Sequence, residues 1–117
     1  MTDAILLDTH IAPWLDSGDE RLRPVTRDLI DDCWRNGGTV FVSAVTAWKI
    51  VQLASVGRVD LDCPAEEWIE RLAENPGIEM IPLTYRAATG AYRSRHLEHR
   101  DPADRLLIAT AIERGVP

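Results

Sequence analysis

The stretch TVFVSAVTAWKIVQLASVG, residues 39–57, decides the fold. Its first four residues are β-branched or aromatic and predict a buried strand. Ser43 can cap the helix that follows over residues 44–56, and Gly57 ends that helix. A strand that passes directly into a helix is the repeating unit of a parallel sheet covered by helices.

The same alternation continues on both sides of this stretch. The apolar stretches within residues 3–8 and 78–83 predict two further strands. Helical spacing, caps and helix-breaking residues predict five further helices. These helices cover residues 10–16, residues 24–36, a segment that begins at Pro64, residues 84 to about 96, and residues 102–114. We therefore expect a single α/β domain, residues 1–117, in which helices flank a short parallel sheet. Since a fourth strand should begin at residues 116–117, we expect this domain to be incomplete at its C-terminus.

The charge of the chain limits its ligands. Its formal net charge of −6 disfavours non-specific binding to nucleic acid, because such binding depends on cations that meet phosphates. The acidity still allows action on nucleic acid through bridging metal ions and a local arginine patch, and it fits simple solubility or a basic partner equally well. Cys33 and Cys63 stand alone without metal-type spacing, and no basic signal-peptide start precedes an apolar segment. We therefore expect a cytoplasmic protein that has no membrane-spanning segment.

Three carboxylates lie where the chain leaves a strand or enters a helix. Asp8 follows the first strand, and Asp101 and Asp104 open the last helix. Because the carboxyl ends of parallel strands meet at one edge of the sheet, we expect these acids to converge on one cleft and hold a divalent metal ion. The helix start offers an alternative, since Asp101 can be the N-cap with Pro102 at the first helical position. Both roles are compatible if Asp101 caps the helix while Asp104 faces the cleft.

Lys49 is the only lysine of the chain, and every other basic side chain is arginine. It lies close to Val45 and Leu53 on a helical wheel, so we expect its ammonium to face the cleft and to have an acidic partner. The alternative is a polar stripe on the surface of the helix, which Lys49 would share with Thr46, Gln52 and Ser55.

Three stretches resemble the sequence motifs of PIN domains: ILLDTH at residues 5–10, VSAVTAWKI at residues 42–50 and DPADRLLIATA at residues 101–111. In this order and spacing they are most similar to the VapC-type toxins of bacterial toxin–antitoxin pairs. The resemblance implies a PIN-like three-layer fold whose C-terminal strand or strands are lacking here. It also implies RNA cleavage that depends on Mg²⁺ or Mn²⁺, a homodimer, and inhibition by a small cognate antitoxin that covers the cleft.

The resemblance also assigns roles to individual side chains. Asp8 and Asp104 match the metal-binding acids of the family, and Asp101 is their neighbour and a further candidate ligand. Lys49 occupies the catalytic position that normally carries glutamate, so it removes an oxygen ligand and adds a positive charge. We therefore expect a weak or inactive nuclease, and the Lys49 ammonium could pair with Asp8 and Asp104 in place of the metal ion. A later aspartate of the family lies beyond Pro117.

Three other side chains are candidate contacts to the RNA substrate: Thr9, Arg100 and Arg105. The threonine could position a phosphate or a metal-bound water, but it could equally cap a helix. The arginines belong to a cluster near the last helix that could bind phosphates or pair with nearby acids. We expect four tryptophans in the core or at an interface rather than stacked on bases: Trp14, Trp34, Trp48 and Trp68.

Two other functions are open from the sequence. The chain could be a non-catalytic PIN module that only binds an antitoxin or another partner. It could also be a phosphatase of the haloacid dehalogenase kind, because that class also places an aspartate after its first strand. A second acid would then be needed at position 10, where this chain carries His10.

Overall fold

The structure, a computed structural model, describes residues 4–9, 11, 13, 21–93 and 101–116. Within these residues it contains three strands, β1 (Ala4–Leu6), β2 (Thr39–Ser43) and β3 (Ile78–Ile81). The helices within the same residues are α1 (Pro24–Arg35), α2 (Ala44–Ser55), α3 (Ala65–Glu74), α4 (Tyr85–Arg93) and α5 (Pro102–Arg114). The helix predicted over residues 10–16 lies almost entirely outside the described residues, as does the predicted end of α4 near His96.

The strands form one parallel sheet in the order β1-β2-β3. Leu6 lies opposite Phe41, and Ser43 lies opposite Ile81, so all three strands run in one direction and end near the same edge. The pairing extends one residue past β1, because the Leu7 amide donates to the carbonyl of Phe41 at 3.0 Å. The predicted parallel sheet is confirmed, and its carboxyl edge is where Asp8 leaves β1.

Helices cover the sheet on both faces and make the predicted three layers. On one face, Val40 and Val42 of β2 pack in a core with Ile30 of α1 and Trp68 of α3. Side chains of a strand alternate between its two faces, so Phe41 points to the other face. There the guanidinium of Arg114 in α5 lies 4.8 Å from the centre of the Phe41 ring. Helix α4 packs against α5 in this outer layer, and α2 leads directly away from β2.

Local side-chain caps begin three of the helices, as the sequence predicts. The Ser43 hydroxyl accepts from the amide of residue 45 at 3.0 Å, which caps α2. Thr84 accepts from the amide of residue 87 at 3.1 Å at the start of α4. At α5, the Asp101 carboxylate accepts from the amide of Ala103 at 2.8 Å. These bonds satisfy amides that have no partner inside the helix, so the caps fix where each helix starts.

Two strands are shorter than the sequence predicts. β3 ends at Ile81 rather than at Leu83, because Pro82 has no amide proton to donate to a neighbouring strand. β1 spans residues 4–6 within the described part of the predicted stretch 3–8. No helix in the described part of the chain combines the length and the apolar character that crossing a membrane requires.

Gly77 is the glycine whose replacement should destabilise the fold most. Its carbonyl accepts a hydrogen bond of 2.7 Å from the Trp34 indole nitrogen, and a Cβ built on Gly77 would lie only 2.4 Å from that nitrogen. Gly77→Ala must therefore displace the indole, and we expect it to lower the free energy of unfolding by about 2 kcal/mol. Urea denaturation measures this change in the free energy of unfolding.

Gly90→Ala in α4 is the matched control, because open space surrounds that position, and it should not destabilise the protein. Equal stability of both variants would contradict the packing described for Trp34.

Candidate active site at the carboxyl edge of the sheet

A cavity of about 310 Å³ lies between the end of β1 and helix α5. Among the described residues, its lining contains two carboxylates, Asp8 and Asp104, and five apolar residues: Leu6, Leu7, Leu107, Ile108 and Ala111. The structure therefore brings together two acids that are almost a hundred residues apart in the sequence. Apolar walls around two carboxylates lower the local dielectric and strengthen any interaction that these carboxylates make with a cation.

Asp8 reaches this cavity because it follows Leu7, the last residue of the first strand segment that bonds to β2. Its side chain is exposed, and its Oδ1 accepts a hydrogen bond of 2.7 Å from the amide of Thr9. The hydroxyl of Thr9 is buried, and its oxygen has no hydrogen-bond partner among the described residues. The backbone amide of Thr9 therefore orients the Asp8 carboxylate. The Thr9 hydroxyl is a buried polar group beside the site that makes no hydrogen bond among the described residues.

Asp104 reaches the cavity from the first turn of α5. The four residues of α5 that line the cavity lie at positions 104, 107, 108 and 111, which is the spacing of a single helix face. A carboxylate in the first turn also interacts favourably with the positive end of the helix dipole. The aspartate is therefore placed by the helix itself, and its half-buried carboxylate faces the end of β1.

Lys49 does not pair with the two cavity acids. Its ammonium lies 3.4 Å from Oδ2 of Asp101, and it is not part of the cavity lining. The expected pairing with Asp8 and Asp104 is therefore wrong. The reason is the cap: Asp101 uses Oδ1 for the Ala103 amide, and its other oxygen is then free to meet α2. The prediction that Lys49 has an acidic partner and is not freely solvated is confirmed, since 21% of its side chain is exposed.

The Lys49–Asp101 pair is weak. The Asp101 side chain is 46% exposed, and an ion pair this exposed to water contributes below about 1 kcal/mol. Lys49 also sits near the positive end of α5, where a cation is unfavourable unless a carboxylate compensates it. The lysine therefore brings its positive charge to Asp101, three residues before Asp104, and the pair adds little stability.

The donor atoms at the cavity fit a divalent ion that binds together with substrate. Mg²⁺ commonly takes one or two carboxylates, several waters and substrate phosphate oxygens. Asp8 and Asp104 supply the two carboxylates. Nowhere in the described ranges do three or more His, Cys, Asp or Glu side chains come close enough together to hold an ion. Asp101 has both of its oxygens engaged elsewhere, so its role as a ligand stays a prediction.

Of the two arginines that are candidate contacts to RNA, the structure describes only Arg105. Arg105 donates from one guanidinium nitrogen to the carbonyls of Ala91 and Tyr92, at 2.8 and 3.1 Å. It thus ties the last turn of α4 to the first turn of α5, a role that the sequence reading missed and that no local pattern signals. Arg100 lies outside the described residues. Contact of Thr9, Arg100 or Arg105 with RNA stays a prediction.

The anchoring role of Arg105 is testable by stability alone. Arg105→Met removes two charge-assisted hydrogen bonds and should lower the free energy of unfolding by about 2 kcal/mol. Arg105→Lys keeps one positive donor and should recover part of that loss. Chemical denaturation of both variants measures the difference. A residue that served only to bind RNA would leave stability unchanged in both.

The charges of the helices divide by layer. Helices α1, α2 and α3, which contribute Ile30, Ile50 and Trp68 to the core on one face of the sheet, carry seven carboxylates against four basic residues. Helices α4 and α5 carry four arginines against two carboxylates. The acidic surplus of the chain therefore lies largely in the layer away from the cavity. A negatively charged ligand can approach the cavity from the more basic side.

Comparison with known proteins gives two findings. The PIN domain family matches residues 5–117 of the chain. The chain is also 32% identical over 111 residues to Ribonuclease VapC22 of Mycobacterium tuberculosis (strain ATCC 25618 / H37Rv). That similarity spans 95% of this chain and 81% of the relative.

Proposed function

Because the chain belongs to the PIN-domain family and to its VapC-type ribonucleases, we propose that it is an endoribonuclease toxin whose metal-dependent activity is weakened by Lys49. PIN-domain ribonucleases generally depend on divalent metal ions. The observation that carries the proposal is the shared cavity of Asp8 and Asp104, since two convergent carboxylates are the ligands that such an ion needs from the protein.

Each part of the cavity has a role in the proposed reaction. Asp8 and Asp104 would hold the Mg²⁺ or Mn²⁺ ion, and a phosphate of the RNA would bind to the same ion. When bound, the ion supplies an activated water and offsets charge on the leaving oxygen. The apolar side chains of Leu107 and Ile108 line the cavity beside Asp104. The Thr9 amide keeps the Asp8 carboxylate in one orientation.

The charge layout supports RNA as the substrate. An overall charge of −6 opposes binding of a polyanion, but the acidic surplus lies on α1 and α3, in the layer away from the cavity. Basic residues outnumber acids on the helices nearer to it. RNA phosphates can therefore approach the cavity while the far face repels them.

Lys49 reduces the activity in two ways. The family carries glutamate at this position, so the lysine removes a carboxylate near the site. It also holds a positive charge at Asp101, one turn from Asp104. Two unit charges 4 Å apart interact by about 4 kcal/mol at an effective dielectric of 20, and a divalent ion doubles this. The effect of Lys49 on the ion is smaller than this figure, because the ammonium lies outside the cavity lining and is paired with Asp101.

The family also implies partners for the chain. The proposed toxin acts in the cytoplasm, forms a homodimer, and is inhibited by a cognate antitoxin that covers the cleft.

The substrate class is tested by offering RNA and a phosphate monoester to the protein and to Lys49→Glu, each with Mg²⁺ or Mn²⁺. The proposal expects cleavage of RNA and no release of phosphate from the monoester. Asp8-dependent hydrolysis of the monoester would overturn it in favour of a phosphatase. Partner binding without RNA cleavage by either form would overturn it in favour of a binding module.

A further inference from the structure

Both tyrosines of the chain, Tyr85 and Tyr92, lie on one face of helix α4. They are seven residues apart, so they lie almost directly above one another, two helical turns apart. Tyr85 is 74% exposed and Tyr92 is 86% exposed. The opposite face of the helix carries Ala87 and Ala91, which are buried, and α4 packs there against α5. Neither tyrosine ring is therefore needed for the core.

We propose that the outer face of α4 is a second RNA-binding surface, on which unpaired bases stack against the two tyrosine rings. We call it the tyrosine face; it consists of Tyr85, Arg86, Ala88, Thr89 and Tyr92. Exposed aromatic rings bind bases by stacking, and they accept any base, because every base has a π-face. The RNA must be single-stranded at this surface, since in a duplex the face of each base is covered by its neighbours.

The charge of α4 suits a polyanion. The helix carries two arginines and no carboxylate, and each arginine directly follows a tyrosine, at residues 85–86 and 92–93. The Arg86 guanidinium lies 5.8 Å from the centre of the Tyr85 ring, and its Nε donates to the Tyr85 hydroxyl at 3.3 Å. A guanidinium has five N–H groups, so donors remain for a phosphate beside the ring.

The residues between the tyrosines leave room for bases. Ala88 and Thr89 are small, so the surface between the two rings is low. Seven residues of α-helix span about 10 Å along the axis. Bases in a stacked strand follow one another at about 3.4 Å, so two bases fit between the rings. A protein partner would be favoured by a continuous apolar patch, which these small residues do not provide.

Helix α5 connects the tyrosine face with the candidate active site. The Arg105 guanidinium donates to the Tyr92 carbonyl at 3.1 Å, and Arg105 directly follows Asp104. The Tyr92 end of the tyrosine face therefore lies beside the turn of α5 that carries Asp104. The Tyr85 end lies farther away, because the residue before Tyr85 is hydrogen-bonded to the last turn of α5. A strand that leaves the cavity can thus cross the first turn of α5 and continue along α4.

This inference rests on RNA as the substrate of the proposed function, and it is tested without cleavage. The experiment measures the binding of a fluorescently labelled oligoadenylate by anisotropy, in EDTA. We expect Tyr85→Ala and Tyr92→Ala each to raise the dissociation constant at least about 5-fold, as for the loss of one stacked base. Both variants should fold, because the rings are exposed and alanine has the highest helix propensity. Tyr85→Phe and Tyr92→Phe keep the ring and should bind as the natural sequence does.

Two further variants separate stacking from other contacts. Val25→Ala is the matched control for lost apolar surface, because Val25 is 69% exposed on α1, in the other layer, and it should leave the dissociation constant unchanged. Arg86→Gln should lower the slope of log affinity against log salt by about 0.7, the value for one phosphate contact on a single strand. The tyrosine variants should keep the slope of the natural sequence. An abasic oligomer of the same length should bind the natural sequence more weakly than the oligoadenylate does.

Several results would overturn the proposal. One is that both alanine variants bind the oligoadenylate as tightly as the natural sequence, including when the tyrosine face binds another protein instead. Others are that phenylalanine restores no affinity relative to alanine, that the abasic oligomer binds as tightly as the oligoadenylate, or that the natural sequence binds neither. RNA cleavage with Mn²⁺, measured separately, decides the proposed activity, so a chain that binds RNA through α4 without cleaving it would overturn that activity alone.

Discussion

Lys49→Glu is expected to raise metal-dependent RNA cleavage by at least about a hundredfold. The substitution removes the cation that pairs with Asp101 and puts a carboxylate on the α2 face that meets the start of α5. It should also make the protein respond to metal without RNA, since Mn²⁺ should raise the melting temperature of Lys49→Glu more than that of the natural sequence. Single-turnover cleavage of RNA and thermal melting with and without Mn²⁺ measure the two effects.

Two control substitutions separate the two effects of Lys49. Lys49→Gln removes the charge without adding a carboxylate, so its cleavage rate should lie between those of the natural sequence and Lys49→Glu. Lys49→Arg keeps the charge and should bring no gain. If all four proteins cleave RNA at the same rate, the lysine is not what limits the site.

The second large effect is the loss of activity when either cavity acid is replaced. In the Lys49→Glu background, Asp8→Asn and Asp104→Asn should each lower RNA cleavage at least about a hundredfold, because each removes a charged metal ligand. Both should also abolish the Mn²⁺-dependent rise in melting temperature. The melting temperature is measured without RNA, so it distinguishes a variant that has lost a metal ligand from one that has lost a contact to RNA.

The control for this pair is Glu67→Gln on α3. Glu67 is an exposed acid in the first turn of its helix, as Asp104 is in α5, but it lies in the other layer of the fold. Glu67→Gln should therefore leave both cleavage and the Mn²⁺ response unchanged. Activity that survives Asp8→Asn or Asp104→Asn would remove that residue from the site.

Local chemistry explains why much of the fold could be predicted from the sequence. The caps at Ser43 and Asp101 act within a few residues, so their hydrogen bonds follow from the sequence around them. The parallel sheet follows from strands that alternate with helices, and the shared edge of Asp8 and Asp104 follows from the sheet. The end of β3 at Ile81 also has a local cause, because Pro82 has no amide proton for a hydrogen bond to the next strand. The apolar stretch 78–83 nevertheless predicted a strand two residues longer.

The sequence could not predict which residues of a neighbouring helix a long side chain contacts. Lys49 meets Asp101 rather than the cavity acids, because the cap leaves one Asp101 oxygen facing α2. Arg105 follows Asp104 directly, yet it turns to the carbonyls that end α4. Trp68 is buried as expected, whereas Trp48 is exposed. Periodicity predicts which face of a helix is buried, but it does not predict which side chains of the neighbouring helix lie against that face.

The most direct measurement is the affinity of Mn²⁺ in the presence of an RNA that cannot be cleaved, followed by electron paramagnetic resonance. The natural sequence, Lys49→Gln and Lys49→Glu should bind the ion with increasing affinity, and adding Asp104→Asn to Lys49→Glu should remove the gain. Equal affinities in all four proteins would contradict the claim that Asp8 and Asp104 hold the metal and that Lys49 weakens it.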